Sequence, residues 1–152
     1  MSSGSKIQNQ HLDKLLQVLA AIPEKTSLEI AITLNVDGLI VSGRIISQQA
    51  YFKELKKLIK LGDKHHEIKQ ILEDLIIQFQ DQVRRHEEEA VKLPLPEFIH
   101  LKNAKMYPSH GRGMPSTREA IWRGRISEVG GFSLGEILYD LDQLQTTPFS
   151  EK

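Results

Sequence analysis

The sequence predicts an α+β domain: a leading helix, then a small, bent antiparallel sheet or barrel that is interrupted by a helical hairpin. Apolar and polar residues alternate over 28–36, which is the period of a strand with one buried face. Asp37-Gly38 follows, a pair that tolerates the positive φ angles of a tight hairpin turn. From Gln48 the apolar spacing changes to three and four residues, which predicts helices.

The segments on either side of that turn complete the first part of the domain. A helix with one apolar stripe is predicted from Gln10 to just before Pro23, and it needs a surface to cover. Within the predicted hairpin 27–47 the second strand contains Gly43, and an isolated glycine inside a strand typically marks a bulge or a sharp bend. A strongly bent second strand is what a small closed barrel requires.

Roughly forty residues of helix are predicted between strands. The first helix ends near Leu61-Gly62-Asp63, and a longer helix follows from Lys64 to Ala90. The apolar stripe of the longer helix consists of Ile68, Ile71, Leu72, Leu75, Ile76, Phe79 and Val83. Because this stripe is wider than a strict coiled-coil seam, packing within the protomer is favoured over pairing with a second copy, and both interpretations stay open.

The last third of the chain returns to strand character. Extended structure is predicted over 97–107 and, after a loop at 108–117, over 120–134, where Gly130-Gly131 is suited to a tight turn. A short last helix is predicted over 137–144. The predicted organisation is a disordered lead 1–9, a single domain 10–145 with a helical insertion at about 50–92, and a flexible tail 146–152.

Composition excludes several classes of protein. Twenty basic residues balance twenty acidic ones, which disfavours nucleic-acid binding because that binding rests on an excess of Lys and Arg. The chain has no cysteine, so disulfides, thiol catalysis and thiolate metal sites are all excluded. No apolar run approaches the ~20 residues that span a bilayer, and the polar N-terminus lacks the apolar core of a signal peptide. The sequence predicts a cytoplasmic protein without a membrane partner.

No motif predicts catalysis, a cofactor or a metal. Among six histidines only His65-His66 are adjacent, and on a helix their side chains point about 100° apart. There is no His-Glu-x-x-His pattern, no Gly-x-Ser-x-Gly, no P-loop and no Rossmann fingerprint. Glu87-Glu88-Glu89 is typical of a solvated helix end. The prediction is a non-enzymatic protein with no cofactor, no metal and no small-molecule substrate.

Trp122-Arg123-Gly124-Arg125 is the segment richest in the residue types found at binding hot spots. In a strand Trp122 and Gly124 share one face, and Arg123 and Arg125 share the other. The tryptophan then either fills the core beside two solvated arginines, or the arginines belong to a basic patch for an acidic partner. The candidate partner-binding residues are Trp122, Arg123, Arg125, Lys102 and Lys105, with Arg112 and Arg118 as further basic neighbours.

Seven segments together carry a family resemblance. They are Leu34-Asn35-Val36-Asp37-Gly38, Val41-Ser42-Gly43, Ile46-Ser47, Tyr51-Phe52, and the stretches 98–107, 121–129 and 131–135. In order and approximate spacing they resemble the gas vesicle accessory protein U family. The similarity covers about residues 28–54 and 97–137, whereas the helical stretch 62–96 is more elaborate than the resemblance leads us to expect.

The resemblance implies a function that the motifs alone do not. It implies a non-enzymatic accessory protein of gas vesicles, the gas-filled protein shells that give cells buoyancy. This family is associated with vesicle assembly or with the clustering of finished vesicles, not with the shell itself. The implied partners are the gas vesicle shell or minor gas vesicle proteins, and further copies of the chain in a homo-oligomer.

A second resemblance leaves an alternative open. The predicted order of a helix and about five short, bent strands resembles the Sm-like barrel, with Leu34-Asn35-Val36-Asp37-Gly38 similar to its first motif and Arg123-Gly124 to its second. That resemblance implies an Sm-like RNA-binding ring, which requires aromatic or basic residues around a pore and binding that weakens strongly with salt.

Overall fold

The structure, a computed structural model, describes residues 12–61, 66–89, 95–108 and 120–137. The helices are α1 Lys14–Lys25, α2 Gln48–Leu61 and α3 His66–Glu89. The strands are β1 Ile30–Val36, β2 Leu39–Ile46, β3 Phe98–Tyr107, β4 Trp122–Arg125 and β5 Gly131–Leu134. The predicted lead 1–9, the tail 146–152, nearly all of the loop 108–117 and nearly all of the last helix lie outside the described residues.

The predicted hairpin at the start of the sheet is confirmed. β1 and β2 pair antiparallel, with Leu34 opposite Val41. Asp37 has φ 52° and Gly38 has φ 83°, so both central residues of the turn have the positive φ that a two-residue hairpin favours. The Asn35 side-chain oxygen accepts the Gly38 N–H at 3.1 Å and closes the turn.

The predicted irregularity at Gly43 is confirmed, but the bulge belongs to the opposite strand. The register between β2 and β3 shifts between Ser42 and Arg44, where Gly43 alone faces Asn103 and Ala104, so the extra residue lies in β3. A Cβ on Gly43 would lie 2.8 Å from the Lys102 carbonyl oxygen and 3.3 Å from the Ala104 Cα. The backbones of the two strands approach so closely that only glycine fits without a shift.

The sheet has the order β4-β3-β2-β1-β5 and is open. β4 and β5 lie at opposite edges, are four residues long each, and form no ladder with one another in the described part of the chain. The predicted closed barrel is therefore wrong, and the resemblance to the Sm-like barrel is not confirmed. The predicted α+β class with an antiparallel sheet is confirmed.

The segment between β4 and β5 explains why they do not pair. β4 ends where Ile126 turns into the core as the first residue of a 3₁₀ helix, Ile126–Glu128, and its N–H donates to the Glu97 carbonyl at 2.9 Å. The Gly130 N–H donates to the Asn35 carbonyl at 2.8 Å and begins the pairing with β1 instead. The sequence suggested a tight turn at Gly130-Gly131. In the structure these two glycines do not form a turn between neighbouring strands.

α1 is confirmed as a helix, but it begins at Lys14, whereas the sequence predicted a start at Gln10, and it also ends later than predicted. The Asp13 carboxylate caps it by accepting the N–H groups of Leu15 and Leu16 at 3.0 and 3.2 Å. The helix continues past Pro23 to Lys25, so the predicted end is three residues too early. Because Pro23 falls in the last turn, few intrahelical bonds are affected, and the Thr26 N–H closes the helix on the Ile22 carbonyl at 3.1 Å.

The core lies between α1 and one face of the sheet, which we call the inner face. Its fully or almost fully buried side chains are Leu16, Ala20, Ile32, Leu34, Val41, Ile45, Ile99, Leu101, Ala104 and Ile126. The alternation predicted over 28–36 places Ile32 and Leu34 on this face. The leading helix therefore covers the sheet, as its single apolar stripe requires.

α2 and α3, here called the helical hairpin, belong to the opposite side of the sheet, the outer face. They lie between β2 and β3 in the chain, where the sequence predicted helices. Phe52 of α2 is buried, and its ring lies 5.6 Å from that of Phe79 in α3 and 6.5 Å from that of His100 in β3. This contact fixes the hairpin on the sheet.

Candidate interaction surface

The pairing of β3 with β4 decides where the predicted binding segment points. Trp122 lies opposite Leu101 and Arg123 opposite His100. Trp122 and Gly124 therefore share the inner face, and the indole lies over the glycine, where a Cβ would be 2.1 Å from Trp122 Cη2. Trp122 is half-buried and packs against the hydrophobic core, so it supports the edge of the sheet.

Arg123 is at the centre of a group of aromatic side chains on the outer face. Its Cζ lies 3.9 Å from the ring centroid of Phe98 and 5.8 Å from that of Phe79. Its Nε–H donates to His100 Nε2 at 3.1 Å. A guanidinium stacked on rings in this way gains cation–π attraction while its charge stays partly desolvated. We call Arg123, His100, Phe98, Phe79 and Tyr51 the Arg123 cluster.

The Arg123 cluster joins three elements of the fold. Tyr51 belongs to α2, and its ring lies 4.8 Å from that of His100 in β3. Phe79 belongs to α3 and contacts both Phe52 and Arg123. The cluster therefore holds the helical hairpin against the sheet, and Arg123 is not one of the fully solvated arginines that the sequence allowed.

Burial sets the protonation of this cluster. Burial first, and the positive charge of Arg123 second, lower the pKa of His100 to about 4. The imidazole is neutral at pH 7, which leaves Nε2 able to accept the Arg123 N–H. Burial also raises the pKa of Tyr51, an effect that the charge of Arg123 opposes, and burial lowers the pKa of Arg123.

Four other charged side chains on the outer face, two basic and two acidic, lie close together. Lys102 Nζ pairs with the Glu29 carboxylate. Arg44 Nε donates to Glu136 Oε1 at 2.9 Å, and Arg44 Nη1 lies 3.9 Å from Glu29 Oε2. Because two basic and two acidic groups meet here, Lys102 does not act as an isolated positive charge.

The segment after β5 crosses the outer face and covers part of it. The Thr33 hydroxyl donates to the Gly135 carbonyl at 2.8 Å, and the Ile137 N–H donates to Ser42 Oγ at 2.6 Å. The bond from Ile137 gives the hydroxyl of Ser42, which is buried, a partner. The outer face is thus divided between this segment over β1 and β2 and the helical hairpin over β3.

The predicted basic residues that the structure describes share the outer face but are spread along β3. Arg125 pairs with Phe98 at the start of the strand, whereas Lys105 lies seven residues further along it, roughly 23 Å away. Lys102 and Lys105 lie opposite Arg44 and Ser42, so the bulge keeps both lysines on the outer face. Arg125 lies on the same face next to β3 and is exposed, and Lys105 is half-buried. Arg112 and Arg118 lie outside the described residues.

Sequence reasoning missed the aromatic partners of Arg123. Phe79 and Tyr51 come from the helical hairpin and have no sequence spacing that relates them to Arg123. His100 and Phe98 are the exceptions, because His100 lies opposite Arg123 in the β3–β4 ladder and Phe98, opposite Arg125, is its diagonal neighbour. A correct pairing of β3 with β4 was the one signal that could have indicated them.

No arrangement for catalysis or metal binding is found in the described residues. They contain no group of three or more His, Asp or Glu side chains suited to a metal ion, and no buried side-chain polar atom among them lacks a hydrogen-bond partner. A cavity of about 220 Å³ lies where α1, α2 and α3 meet, lined by Glu24, Gln48 and Arg84 among others. Glu24 there accepts the Gln48 N–H at 2.7 Å and so caps α2.

The helical hairpin leaves apolar surface uncovered. Most of the exposed large hydrophobic side chains of the described residues lie on it: Leu58, Ile68, Ile71, Leu72, Leu75, Ile77 and Phe79. Ile76 and Val83 in α3 are more covered. The predicted apolar stripe of α3 therefore packs within the protomer along only one of its margins.

The comparisons with known proteins decide the family. The model of the family described as Gas vesicle protein GvpU-like matches residues 13–137, which is most of the chain. The chain belongs to the GvpU-like family of gas vesicle proteins. The predicted resemblance is thereby confirmed, and the match also spans the helical hairpin of this GvpU-like protein.

Further comparisons add no closer relative for this GvpU-like protein. No curated protein and no solved structure matches the chain. Within the described ranges, no helix is both long enough and apolar enough to cross a bilayer.

Proposed function

We propose that this GvpU-like protein is a non-enzymatic accessory protein that acts at gas vesicles in the cytoplasm, either in their assembly or in the clustering of finished vesicles. The family match over residues 13–137 carries this proposal. The exposed apolar side chains of the helical hairpin support a function that depends on contacts between proteins, because such patches typically mark interaction sites.

The mechanism we propose is multivalent binding. Self-association places several copies of one weak vesicle-binding surface in a single particle. Once one copy is bound, the next binding event is effectively intramolecular, so avidity exceeds the affinity of each contact. One particle that binds two vesicles would hold them together, which is the physical requirement for clustering.

The vesicle-binding surface proposed here is the accessible part of the predicted basic patch. Arg125 and Lys105 contact acidic groups of the shell or of a minor gas vesicle protein. Arg123, Lys102 and Trp122 contribute indirectly, because they stack, form an ion pair or pack against the core. Attraction between exposed charges of this kind weakens as salt screens it.

Flotation tests the proposal. Purified protein is mixed with intact gas vesicles and centrifuged, so that bound protein rises with the buoyant vesicles, in low-salt and in high-salt buffer. We expect co-flotation that decreases as salt increases. Absence of co-flotation in both buffers would overturn the proposal, and nucleic acid bound to the same protein preparation would favour the RNA-binding alternative.

A matched pair of variants tests the surface. Replacing Lys105 and Arg125 by Ala is expected to reduce co-flotation several-fold at low salt. Replacing Arg84 and Arg85 by Ala, which are exposed residues of α3, removes the same charge elsewhere and should leave co-flotation unchanged. Equal losses in both variants would show that net charge, not this surface, determines binding.

A further inference from the structure

One side of α3 is apolar, exposed and uninterrupted by charge. Ile68, Ile71, Leu72 and Leu75 are 54%, 59%, 41% and 55% exposed. At 100° per residue they lie within an arc of about 100° on one side of the helix. We call these four residues the α3 flank. Ile77, which is 46% exposed, lies on the opposite side of the helix.

We propose that the α3 flank is the surface through which two copies of this chain associate, as an antiparallel pair of α3 helices. This inference rests on the self-association included in the proposed function and names the residues that perform it. It differs from the vesicle-binding surface, which lies on β3 and β4.

The area of the flank fits a dimer. A half-exposed leucine or isoleucine presents on the order of 90 Å² of apolar surface, so the flank presents on the order of 350 Å² per copy. A symmetric pair would then remove up to about 700 Å² of apolar surface from water. An interface of ~1,200 Å², the lower end of the standard range, is a little over half apolar, which is about the same apolar area.

The spacing of the flank fits a second copy of the same helix. Two antiparallel helices related by a two-fold axis between Ile71 and Leu72 place Ile68 opposite Leu75 and Ile71 opposite Leu72. Each apolar residue of the flank then meets another residue of the flank. No charged side chain lies among the four, so the pairing leaves no charge buried without a partner.

Within the described residues, nothing else of the protomer covers the flank. Phe79, which lies further along the same side of α3, contacts Phe52 and Arg123 and holds that part of the helix against the protomer. The flank lies one to three turns before Phe79 and keeps its exposure after the hairpin has packed on the sheet. A second copy brings an identical flank at the same concentration, so burial of both surfaces follows from one contact.

Sedimentation measures the association. We expect the wild-type protein to sediment with twice the chain mass of 17.3 kDa, and to dissociate on dilution. The variant Ile68→Ser, Ile71→Ser, Leu75→Ser should sediment as a monomer at concentrations where the wild type is dimeric. The matched control is Leu15→Ser, Val18→Ser, Leu28→Ser, whose parent side chains are 60%, 47% and 63% exposed, and it should remain a dimer.

Cysteine cross-linking tests the geometry, because the chain has no native cysteine. Ile71→Cys and Leu72→Cys lie next to the axis and should each form a disulfide with its own copy. Ile68→Cys and Leu75→Cys should not, since identical residues there are about 10 Å apart along the helices, beyond disulfide reach. A mixture of the Ile68→Cys and Leu75→Cys proteins should cross-link, and Ile77→Cys should not.

The outcomes separate this inference from the proposed function. A monomeric wild type would overturn it, whether a terminal segment of the same chain or a different protein covers the flank. A serine variant that stays dimeric, or cross-linking of Ile77→Cys equal to that of Leu72→Cys, would overturn it as well. Circular dichroism establishes that the serine variant is folded. If that variant floats with vesicles but no longer clusters them, vesicle binding and pairing are independent functions.

Discussion

The sheet with α1 and the helical hairpin use similar apolar patterns with different results. On the inner face of the sheet, Ile32, Leu34 and Ile45 are completely buried. On α3, Ile71 and Leu75 remain more than half exposed. A residue of a central strand is flanked by two other strands and covered by α1. A residue of α3 packs against α2 and against the edge of the Arg123 cluster. Within the described residues the inner face of the sheet is therefore covered, whereas one side of α3 is exposed.

The two regions meet at the Arg123 cluster. Arg123, His100 and Phe98 come from the sheet, and Tyr51 and Phe79 come from the hairpin. Because the described contacts between the hairpin and the sheet concentrate here, this cluster determines how strongly the two regions are coupled. The predictions that follow test the two regions and their junction, in order of decreasing effect on the free energy of unfolding.

Truncation in the inner core should have the largest effect. Leu34→Ala removes a completely buried side chain and leaves a cavity, which costs about 2–5 kcal/mol of the free energy of unfolding. Ile77→Ala, on the exposed side of α3 away from the flank, should cost less than about 1 kcal/mol. Urea unfolding measures both. Similar losses would show that the hairpin is as well packed as the sheet.

Acidification should weaken the junction. The unfolded chain takes up a proton at His100 from about pH 6.5, whereas the folded chain does so only near pH 4. The free energy of unfolding therefore falls as pH falls between these values, by up to about 3 kcal/mol, and this contribution is fully present above pH 6.5. Denaturant unfolding across this range measures the loss.

Two variants isolate the contribution of His100 from that of other groups. His100→Phe should flatten the pH dependence, since the aromatic ring remains and the proton site does not. His66→Gln removes an exposed histidine of α3 and should leave the slope as in the wild type. An unchanged slope in His100→Phe would assign the acid sensitivity to carboxylates instead.

A side chain at Gly43, opposite the bulge of β3, should also destabilise the sheet. Gly43→Ala places a Cβ against the Lys102 carbonyl oxygen and the Ala104 backbone, so the strands must separate at a cost of about 1–3 kcal/mol. Gly131→Ala meets no atom within 4 Å and should change the free energy of unfolding by less than about 0.5 kcal/mol. Thermal unfolding distinguishes them, and equal stabilities would contradict the close approach of β2 and β3.

Loss of the stacked arginine should loosen the hairpin more than the sheet. Arg123→Ala removes the cation–π contacts and the hydrogen bond to His100, which together contribute about 1–2 kcal/mol. Amide hydrogen exchange should accelerate in α2 and α3 before it does so in β1 and β2. Arg125→Ala, on the same strand, is exposed and should change exchange little. Uniform acceleration across the chain would show that the cluster stabilises the whole fold and not the junction.

Local physics made several elements predictable from the sequence. Asp37 and Gly38 tolerate positive φ, which predicted the hairpin. Gly43 has no Cβ, which predicted an irregularity in the sheet at this position. The alternation over 28–36 has a single buried face, which predicted the residues that point inward. The two inserted helices followed from apolar spacing for the same reason. Family membership was also predictable, since it rests on the order of short segments.

Only the tertiary structure decided how the strands close and what surrounds the charged residues. Whether β4 meets β5 depends on where Ile126 turns into the core, and the surroundings of Arg123 depend on Phe79 and His100, which are distant in the chain. A periodic pattern states which residues can be buried, but not how many neighbours the fold supplies to bury them. The sequence by itself therefore determined the elements and the family of this protein. The tertiary structure decided that the sheet does not close into a barrel and that Arg123 belongs to a junction. It also decided that one side of α3 is exposed in the described part of the chain.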